Sequence, residues 1–359
     1  SAGSSIASGV IFTIPALVIL GHWTDFRYGW VLAIAGLGGI LGVFFSVPLR
    51  RSLIVEQNLK FPEGVAAAEV LKAGDNPAQG VKLLGLAALG GGLAKLAAGS
   101  GLRVIPDTAA ASGFFGKWLA YFGTNLSPAL LGVGYIVGLN IGALALIGGM
   151  ISWSIAIPVY AAWFLQDNAP LAQQLAGADA ETMANAIWSA QVRYLGVGAM
   201  LVGGMWALVS IRSSLASGIR SGLEATRAGA TRATSHTEQD LPMKAILIGL
   251  VLFTIPLFVL YQLIVDNIGI SLVMTVIMIV AGFVFTSVSA YMAGLVGSSN
   301  NPVSGITICT ILFASLLLVV LMGRGAALGP VAAIMIGSVV CCAACIGGDN
   351  LQDLKAGQL

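Results

Sequence analysis

Three short polar segments interrupt an otherwise apolar chain, and they hold the side chains whose chemistry could matter most. The segments are residues 58–74, 291–307 and 347–357. Polar groups inside a membrane bundle are costly to bury, and where they persist they usually line a pathway for a solute or an ion. Each segment is therefore a candidate part of such a pathway.

The segment 291–307 joins two apolar runs without any charged residue. Gly297 and Gly305 permit unusual backbone angles and Pro302 has no N–H group, so we expect a membrane helix to break here. The freed backbone groups, and the polar side chains beside them, would face a solute in a water-lined cavity. A plain turn between two helices is the alternative, because Asn-Pro and Ser-rich sequences are also ordinary turn sequences. The side chains predicted to contact the solute are Ser298, Ser299, Asn300, Asn301 and Ser304.

Two carboxylates follow the last apolar run of the chain. Asp349 and Asp353 are four residues apart, so in a helix they share one face, and Lys355 lies close enough to neutralise them in part. Like charges at this spacing repel each other, and burial would favour protonation of one carboxyl group. We therefore predict a polar break at 347–357 that handles charge or protons. A solvated helix end with Asp349 as its N-cap is the alternative.

The segment 58–74 is predicted to form a short helix. Pro62 pre-sets the start of the helix, and Gly74 suits its C-terminal cap. Glu63 lies in the first turn, where backbone N–H groups favour a carboxylate, so it either stabilises the helix start or takes part in transport or proton coupling. The residues predicted to couple protons or handle charge are Glu63, Asp349, Asp353 and Lys355.

The sequence predicts no catalytic residue, no bound metal and no cofactor. Cys341, Cys342 and Cys345 lie close together, but a zinc site needs further Cys or His ligands, and neither histidine is near in sequence. Packing of small residues is the better interpretation of these cysteines. A passive channel and an intramembrane metal-dependent transferase are the alternative functions. The transferase would need a second Asp-rich cluster for Mg²⁺ and diphosphate.

The elements that must position these residues follow from the composition. The chain has 359 residues, of which 57% are hydrophobic and 9% charged, whereas soluble domains carry roughly 25% charge. A water-soluble fold is excluded, and a net charge of +2 makes nucleic acid an unsuitable partner. The length allows about ten spans of about 20 residues. We predict an all-α polytopic helical bundle, with Gly38 and Gly42 as a close packing surface.

The apolar runs divide the chain into two transmembrane groups, 1–210 and 244–359. The second group contains the predicted polar breaks at 297–305 and 347–357. Arginines and lysines place the short helix 58–74 and the connector 211–243 in the cytoplasm, because cytoplasmic loops retain positive charge. The apolar runs are 5–20, 28–47, 81–98, 126–165, 188–210, 244–265, 268–295, 303–322 and 329–346, and glycines near residue 140 divide 126–165 into two helices.

The three polar segments resemble the oligopeptide transporter family, which includes the yellow-stripe-like carriers of metal chelates. The matching pieces are LKFPEGVAAAEVLKAG at 59–74, GLVGSSNNPVSGIT at 294–307 and GGDNLQDLKAG at 347–357. Weaker similarity extends over most of the chain. Family members are longer, so the resemblance implies that this chain is a fragment of such a member.

The resemblance implies a secondary active symporter that uses the proton gradient. Its solute would be a small oligopeptide or a peptide-like metal chelate, carried across a bacterial inner membrane into the cytoplasm. The expected partners are this solute, protons and the lipid bilayer. A homo-oligomer is left open, because glycine-lined helix faces serve packing within one chain or between subunits.

Overall fold

The computed structural model describes residues 2–74, 77–98, 102–200, 202–203, 205–206, 209, 212, 241, 243–301, 303–326 and 328–359. The chain forms two compact units. Unit 1 comprises Ser1–Ala68 and Met200–Leu359, and unit 2 comprises Glu69–Ala199. The connector predicted at 211–243 lies almost wholly outside the described residues.

Unit 1 is built from helices alone among its described residues. They are α1 (Ala2–Ile11), α2 (Pro15–Ile19), α3 (Tyr28–Arg50), the start of α4 (Pro62–Ala73), α12 (Met243–Val265), α13 (Ile268–Val296), α14 (Val303–Met322) and α15 (Gly329–Gln358). A π-helical stretch, Arg51–Glu56, extends α3. The predicted short helix is thus present as α4, beginning at Pro62.

Helix α15 is the centre of unit 1, with α1, α3, α13 and α14 packed against it. Its apolar part is fully buried, which its many Ala, Gly and Cys residues permit because they let other backbones approach closely. A Cβ added at Gly38 of α3 would lie 2.5 Å from the Val339 carbonyl oxygen, and one at Gly42 would lie 2.5 Å from the Ala343 carbonyl oxygen. The predicted packing surface of Gly38 and Gly42 is confirmed.

The polar break predicted at 347–357 is wrong, because α15 continues through these residues to Gln358. The helix survives because its polar side chains find partners on other elements. Asn350 donates to the Ser46 hydroxyl, and Gln352 donates to the Ala293 carbonyl oxygen at 2.9 Å. The backbone therefore keeps its helical hydrogen bonds, and the polar residues lie on a helix face rather than in a break.

Unit 2 combines helices with a β-hairpin that the sequence analysis did not predict. Strands β1 (Thr108–Phe115) and β2 (Trp118–Asn125) pair antiparallel around the two-residue loop of Gly116 and Lys117. Gly116 has φ +65°, which suits the first position of a tight hairpin turn. The helical elements are α5 (Pro77–Ala97), α6 (Pro128–Val137), α7 (Leu139–Met150), α8 (Ile157–Val159), α9 (Ala169–Gln174), α10 (Ala180–Ile187) and α11 (residues 193–200), with π-helical stretches at Ile151–Ala156, Tyr160–Phe164 and Trp188–Val192.

Aromatic rings and a helix cap hold parts of unit 2 in place. The rings of Tyr121 and Trp153 are 4.7 Å apart between centroids, and Trp188 stacks on Trp153 at 5.9 Å. Asp179 caps α10, and its hydrogen bond with Thr182 lowers the pKa of the Asp179 carboxyl group. The hairpin is thereby packed against the helices of its own unit.

Seven helices among the described residues are long and apolar enough to cross a membrane. Two of the ten predicted spans differ, and a third, the run 188–210, lies partly outside the described residues. The run 5–20 forms two short helices on either side of residues 12–14, and α6 ends after ten residues, before Gly138, whose φ is +91°. The all-α polytopic fold class is confirmed, and the chain is an integral membrane protein.

Candidate functional site

The break between α13 and α14 lies at the expected place and contains four of the five predicted solute contacts. Gly297 ends α13 with φ +90° and ψ 161°, a conformation open essentially to glycine alone. The chain then turns back, with the Asn301 N–H donating to the Ser298 carbonyl oxygen at 3.1 Å. Ser298 and Asn301 are partly buried, whereas the Ser299 side chain is exposed.

The start of α4 docks onto this break. The Glu63 Oε1 atom accepts a hydrogen bond from the Ser299 backbone N–H at 2.7 Å. Just before the helix, the Phe61 N–H donates to the Gly294 carbonyl oxygen at 3.0 Å, and the Phe61 side chain is fully buried. Glu63 therefore satisfies a backbone group that the broken helix leaves free.

Asn301 connects the break to α13 and α15. Its Nδ2 atom donates to the Ser289 hydroxyl at 2.7 Å, while its Oδ1 atom is buried without a hydrogen-bond partner. A Cβ added at Gly348 of α15 would lie 3.5 Å from Asn301 Nδ2. Because Gly348 has no side chain, the Asn301 amide can lie close to the backbone of α15. The Asn301 Oδ1 atom remains a buried acceptor without a hydrogen-bond partner.

The carboxylate of Asp349 lies at the centre of these groups. Asp349 is only 5% exposed. The Ser298 hydroxyl lies next to it but has no hydrogen-bond partner of ordinary geometry, and the charges of Glu63 and Asp353 are close enough to act on it. In the described part of the chain, no Lys, Arg or His forms an ion pair with Asp349. A buried carboxylate without an ion-pair partner is costly.

Gln352 and Lys355 join α15 to α4 and to the residues before it. The Gly64 N–H donates to Gln352 Oε1 at 2.9 Å, and a Cβ at Gly64 would overlap the Gln352 carbonyl oxygen. Lys355 is 4% exposed, and its Nζ donates to Asn58 Oδ1 at 2.9 Å. Lys355 Nζ also donates to Gln358 Oε1. The hydrogen bonds of Lys355 thus go to side-chain amide oxygens rather than to the neighbouring aspartates.

The remaining predicted residues lie at the edge of this arrangement. Asn300 is exposed, and its side chain donates to the Val296 carbonyl oxygen at 3.2 Å. Ser304 lies partly buried in the first turn of α14. Asp353 is exposed one turn beyond Asp349. All three polar segments therefore meet in unit 1, where the side chains of Asp349 and Lys355 and the atoms Ser298 Oγ and Asn301 Oδ1 are buried.

Two residues of the arrangement were missed from the sequence. Ser289 supports Asn301, and Asn58 holds Lys355. The signal for Ser289 was the polar run from Thr286 to Ser289 inside an apolar helix, where all but the valine carry a hydroxyl group. For Asn58 the signal was weaker, because an Asn in a loop is ordinary turn chemistry.

The cysteine cluster is part of the helix packing. Cys341, Cys342 and Cys345 are buried, as is Cys309. The Cys341 thiol lies 2.7 Å from the Thr307 hydroxyl. In the described residues, no group of three or more His, Cys, Asp or Glu side chains is arranged to hold a metal ion.

Comparisons with known proteins identify the family of the chain. The family model described as "OPT oligopeptide transporter protein" matches residues 1–359. A Haemophilus influenzae protein named "Putative oligopeptide transporter" is 36% identical over 98% of this chain and 57% of its own length. An Arabidopsis thaliana protein named "Probable metal-nicotianamine transporter YSL5" is 27% identical over 41% of this chain and 22% of its own length.

The chain spans little more than half the length of the Haemophilus relative and a smaller share of the plant one. No solved structure matches it. The family model covers every residue of the chain, including the three polar segments that meet in unit 1. The chain therefore belongs to the OPT oligopeptide transporter family.

Proposed function

We propose that the protein is a secondary active transporter that carries small oligopeptides or peptide-like metal chelates across a membrane by proton-coupled symport. The observation that supports this most is the meeting of three polar segments around the Asp349 carboxylate inside an apolar helical bundle. The similarity to proteins named for oligopeptides and for metal-nicotianamine indicates the class of solute. The bacterial inner membrane is the proposed location, and protons and the solute are the proposed partners.

The solute would meet the groups that the bundle leaves without partners. Asn301 Oδ1 is buried and makes no hydrogen bond, and the buried Ser298 hydroxyl makes none of ordinary geometry. A peptide or a chelate has amide, carboxylate and ammonium groups that can bond to both. Bundles of this kind commonly place their solute where a helix is broken, because the helix ends present free backbone groups there.

Asp349 would couple the movement of solute to that of protons. A carboxylate buried without a cation is destabilising when charged, and a proton or a positively charged solute group removes this cost. Two other charged residues of the site have fixed partners, because Glu63 accepts from Ser299 N–H and Lys355 donates to Asn58. They are therefore proposed to hold the site together.

The test is uptake into proteoliposomes containing the natural full-length protein, under an imposed pH gradient. The probes are a radiolabelled dipeptide and a radiolabelled iron–nicotianamine chelate. Accumulation that follows the gradient and stops when an ionophore collapses it would support proton coupling. Accumulation of the chelate alone would restrict the solute to chelates. Uptake of neither, by protein shown to be folded, would contradict the proposed function.

A further inference from the structure

A cavity opens beside Asp349 on unit 1, between α1, α3 and α15. Its volume is about 310 Å³, at the low end of the roughly 300–1,000 Å³ typical of small-molecule pockets. The cavity therefore has room for about one amino-acid residue rather than for a whole oligopeptide. One wall is apolar and consists of the side chains of Ile6, Ile40, Val43 and Ile346.

Another part of the cavity lining is acidic. Asp349, Asn350 and Asp353 belong to it, and no Lys, Arg or His is among the described residues that line the cavity. Asn350 already donates to Ser46, so its amide is engaged. Asp349 is more than nine-tenths buried and has no ion-pair partner in the described chain. This part of the cavity therefore favours a cation and disfavours an anion.

The apolar wall decides which kind of cation fits. A metal ion needs several oxygen ligands, and this cavity offers them in one part of its lining only. An organic ammonium group can bond to the Asp349 carboxylate while the rest of the ligand rests on the isoleucine and valine side chains. A peptide begins with this combination, an ammonium group and the first side chain on one carbon atom.

We propose that this cavity is the subsite for the amino-terminal residue of a peptide solute, with the ammonium group on Asp349 and the first side chain on the apolar wall. This inference rests on the proposed function, because it names the part of the solute that the site around Asp349 recognises. It also explains why two glycines of α3 line the cavity, since any side chain at Gly36 or Gly39 would project toward the space that the ligand needs.

Gly36 provides a steric test of the proposal. A Cβ added at Gly36 would meet no atom within 4 Å, so a larger side chain can enter the cavity without disturbing the helix packing. Gly29, also in α3, is equally free of neighbours but does not line the cavity. Gly36→Leu therefore fills the proposed subsite, and Gly29→Leu is its matched control.

The experiment measures binding to the purified full-length protein by isothermal titration calorimetry, with Leu-Ala, N-acetyl-Leu-Ala and Gly-Ala as ligands. Acetylation removes the positive charge and should weaken binding at least about tenfold, the effect of 1.4 kcal/mol. Asp349→Asn should abolish this preference for the free amine. Gly36→Leu should lower the ratio of Leu-Ala to Gly-Ala affinity about tenfold, within the range that pocket size controls, whereas Gly29→Leu should not.

The outcomes separate the subsite from the proposed function. Equal binding of Leu-Ala and N-acetyl-Leu-Ala, or an unchanged affinity ratio in Gly36→Leu, would overturn the subsite. Preferential binding of the free amine without any uptake in proteoliposomes would support the subsite and contradict transport of that peptide. Absence of binding by all three peptides would overturn both the subsite and peptide transport. If the Asp349→Asn protein fails to fold, the comparison of Gly36→Leu with Gly29→Leu still tests the subsite.

Discussion

At the scale of single residues, the turn at Gly297 depends on a backbone conformation that other residues avoid. Its φ is +90°, and a Cβ there would lie 2.9 Å from Glu63 Oε1, the atom that accepts from Ser299 N–H. A side chain at position 297 would therefore face both backbone strain and a clash with the Glu63 carboxylate. Gly323 has a similar φ of +83° but open space around it, so a substitution there measures the effect of backbone strain without a clash.

We expect Gly297→Ala to lower the free energy of unfolding by about 1–3 kcal/mol, the usual cost of a strained backbone. Gly323→Ala should cost less, because no neighbouring atom obstructs its side chain. The two variants can be compared by chemical denaturation in detergent, followed by circular dichroism. Equal losses would show that the contact with Glu63 adds nothing to the strain.

Glu63 is predicted to stabilise the protein as a hydrogen-bond acceptor for the Ser299 N–H. Glu63→Gln retains an oxygen for the Ser299 N–H, whereas Glu63→Ala removes it. The alanine variant should lose about 1 kcal/mol of stability and the glutamine variant less. Gradient-driven uptake should persist in the glutamine variant. Loss of uptake in a folded Glu63→Gln protein would mean that the charge of Glu63 is needed for coupling.

At the scale of elements, the packing of α3 against α15 is controlled by where its glycines lie. Gly38 faces α15, where its added Cβ would lie 2.5 Å from both the Val339 carbonyl oxygen and the Cys342 Cβ. Gly36, two residues earlier, meets no atom within 4 Å. The same substitution at these positions should therefore have opposite effects.

Gly38→Ala should destabilise unit 1 by about 1–3 kcal/mol, because the two helices must separate to admit the methyl group. Gly36→Ala should be neutral or stabilise the protein by up to about 1 kcal/mol, because alanine favours a helix more than glycine does. Thermal unfolding in detergent distinguishes these results. A Gly38→Ala protein as stable as the parent would contradict the close approach of α3 to α15.

The elements that the sequence predicted correctly were those with a strong local signal. The long apolar helices from 243 onward and the break after Gly297 follow from hydrophobic runs and from glycine. The predicted break at 347–357 failed because long-range partners such as Ser46 and Ala293 stabilise a helix that looks polar by itself. The β-hairpin was missed because β1 is rich in alanine, and its main signal was the loop at Gly116.

At the scale of the whole molecule, the candidate site joins segments that are far apart in sequence. Glu63 meets Ser299 across 236 positions, and Gly64 meets Gln352 across 288. The sequence indicated which segments were polar, and the family resemblance indicated that they belong to one function. Which side chains point inward could not be predicted, because that depends on how the helices of unit 1 pack against α15.

This arrangement makes Asp349 the residue on which the proposed transport depends. It is buried, it has no ion-pair partner in the described chain, and it lies beside the buried Ser298 hydroxyl. Asp25, an exposed residue of the loop before α3, provides a control for loss of a carboxylate elsewhere in unit 1.

The most direct test compares Asp349→Asn and Asp25→Asn in pH-gradient-driven uptake of a dipeptide by the full-length protein in proteoliposomes. We expect Asp349→Asn to reduce the accumulation at least about tenfold, equivalent to the loss of about 1.4 kcal/mol. Asp25→Asn should accumulate the dipeptide as the parent does. Undiminished, gradient-dependent accumulation by a folded Asp349→Asn protein would contradict the claim that the site around Asp349 carries transport.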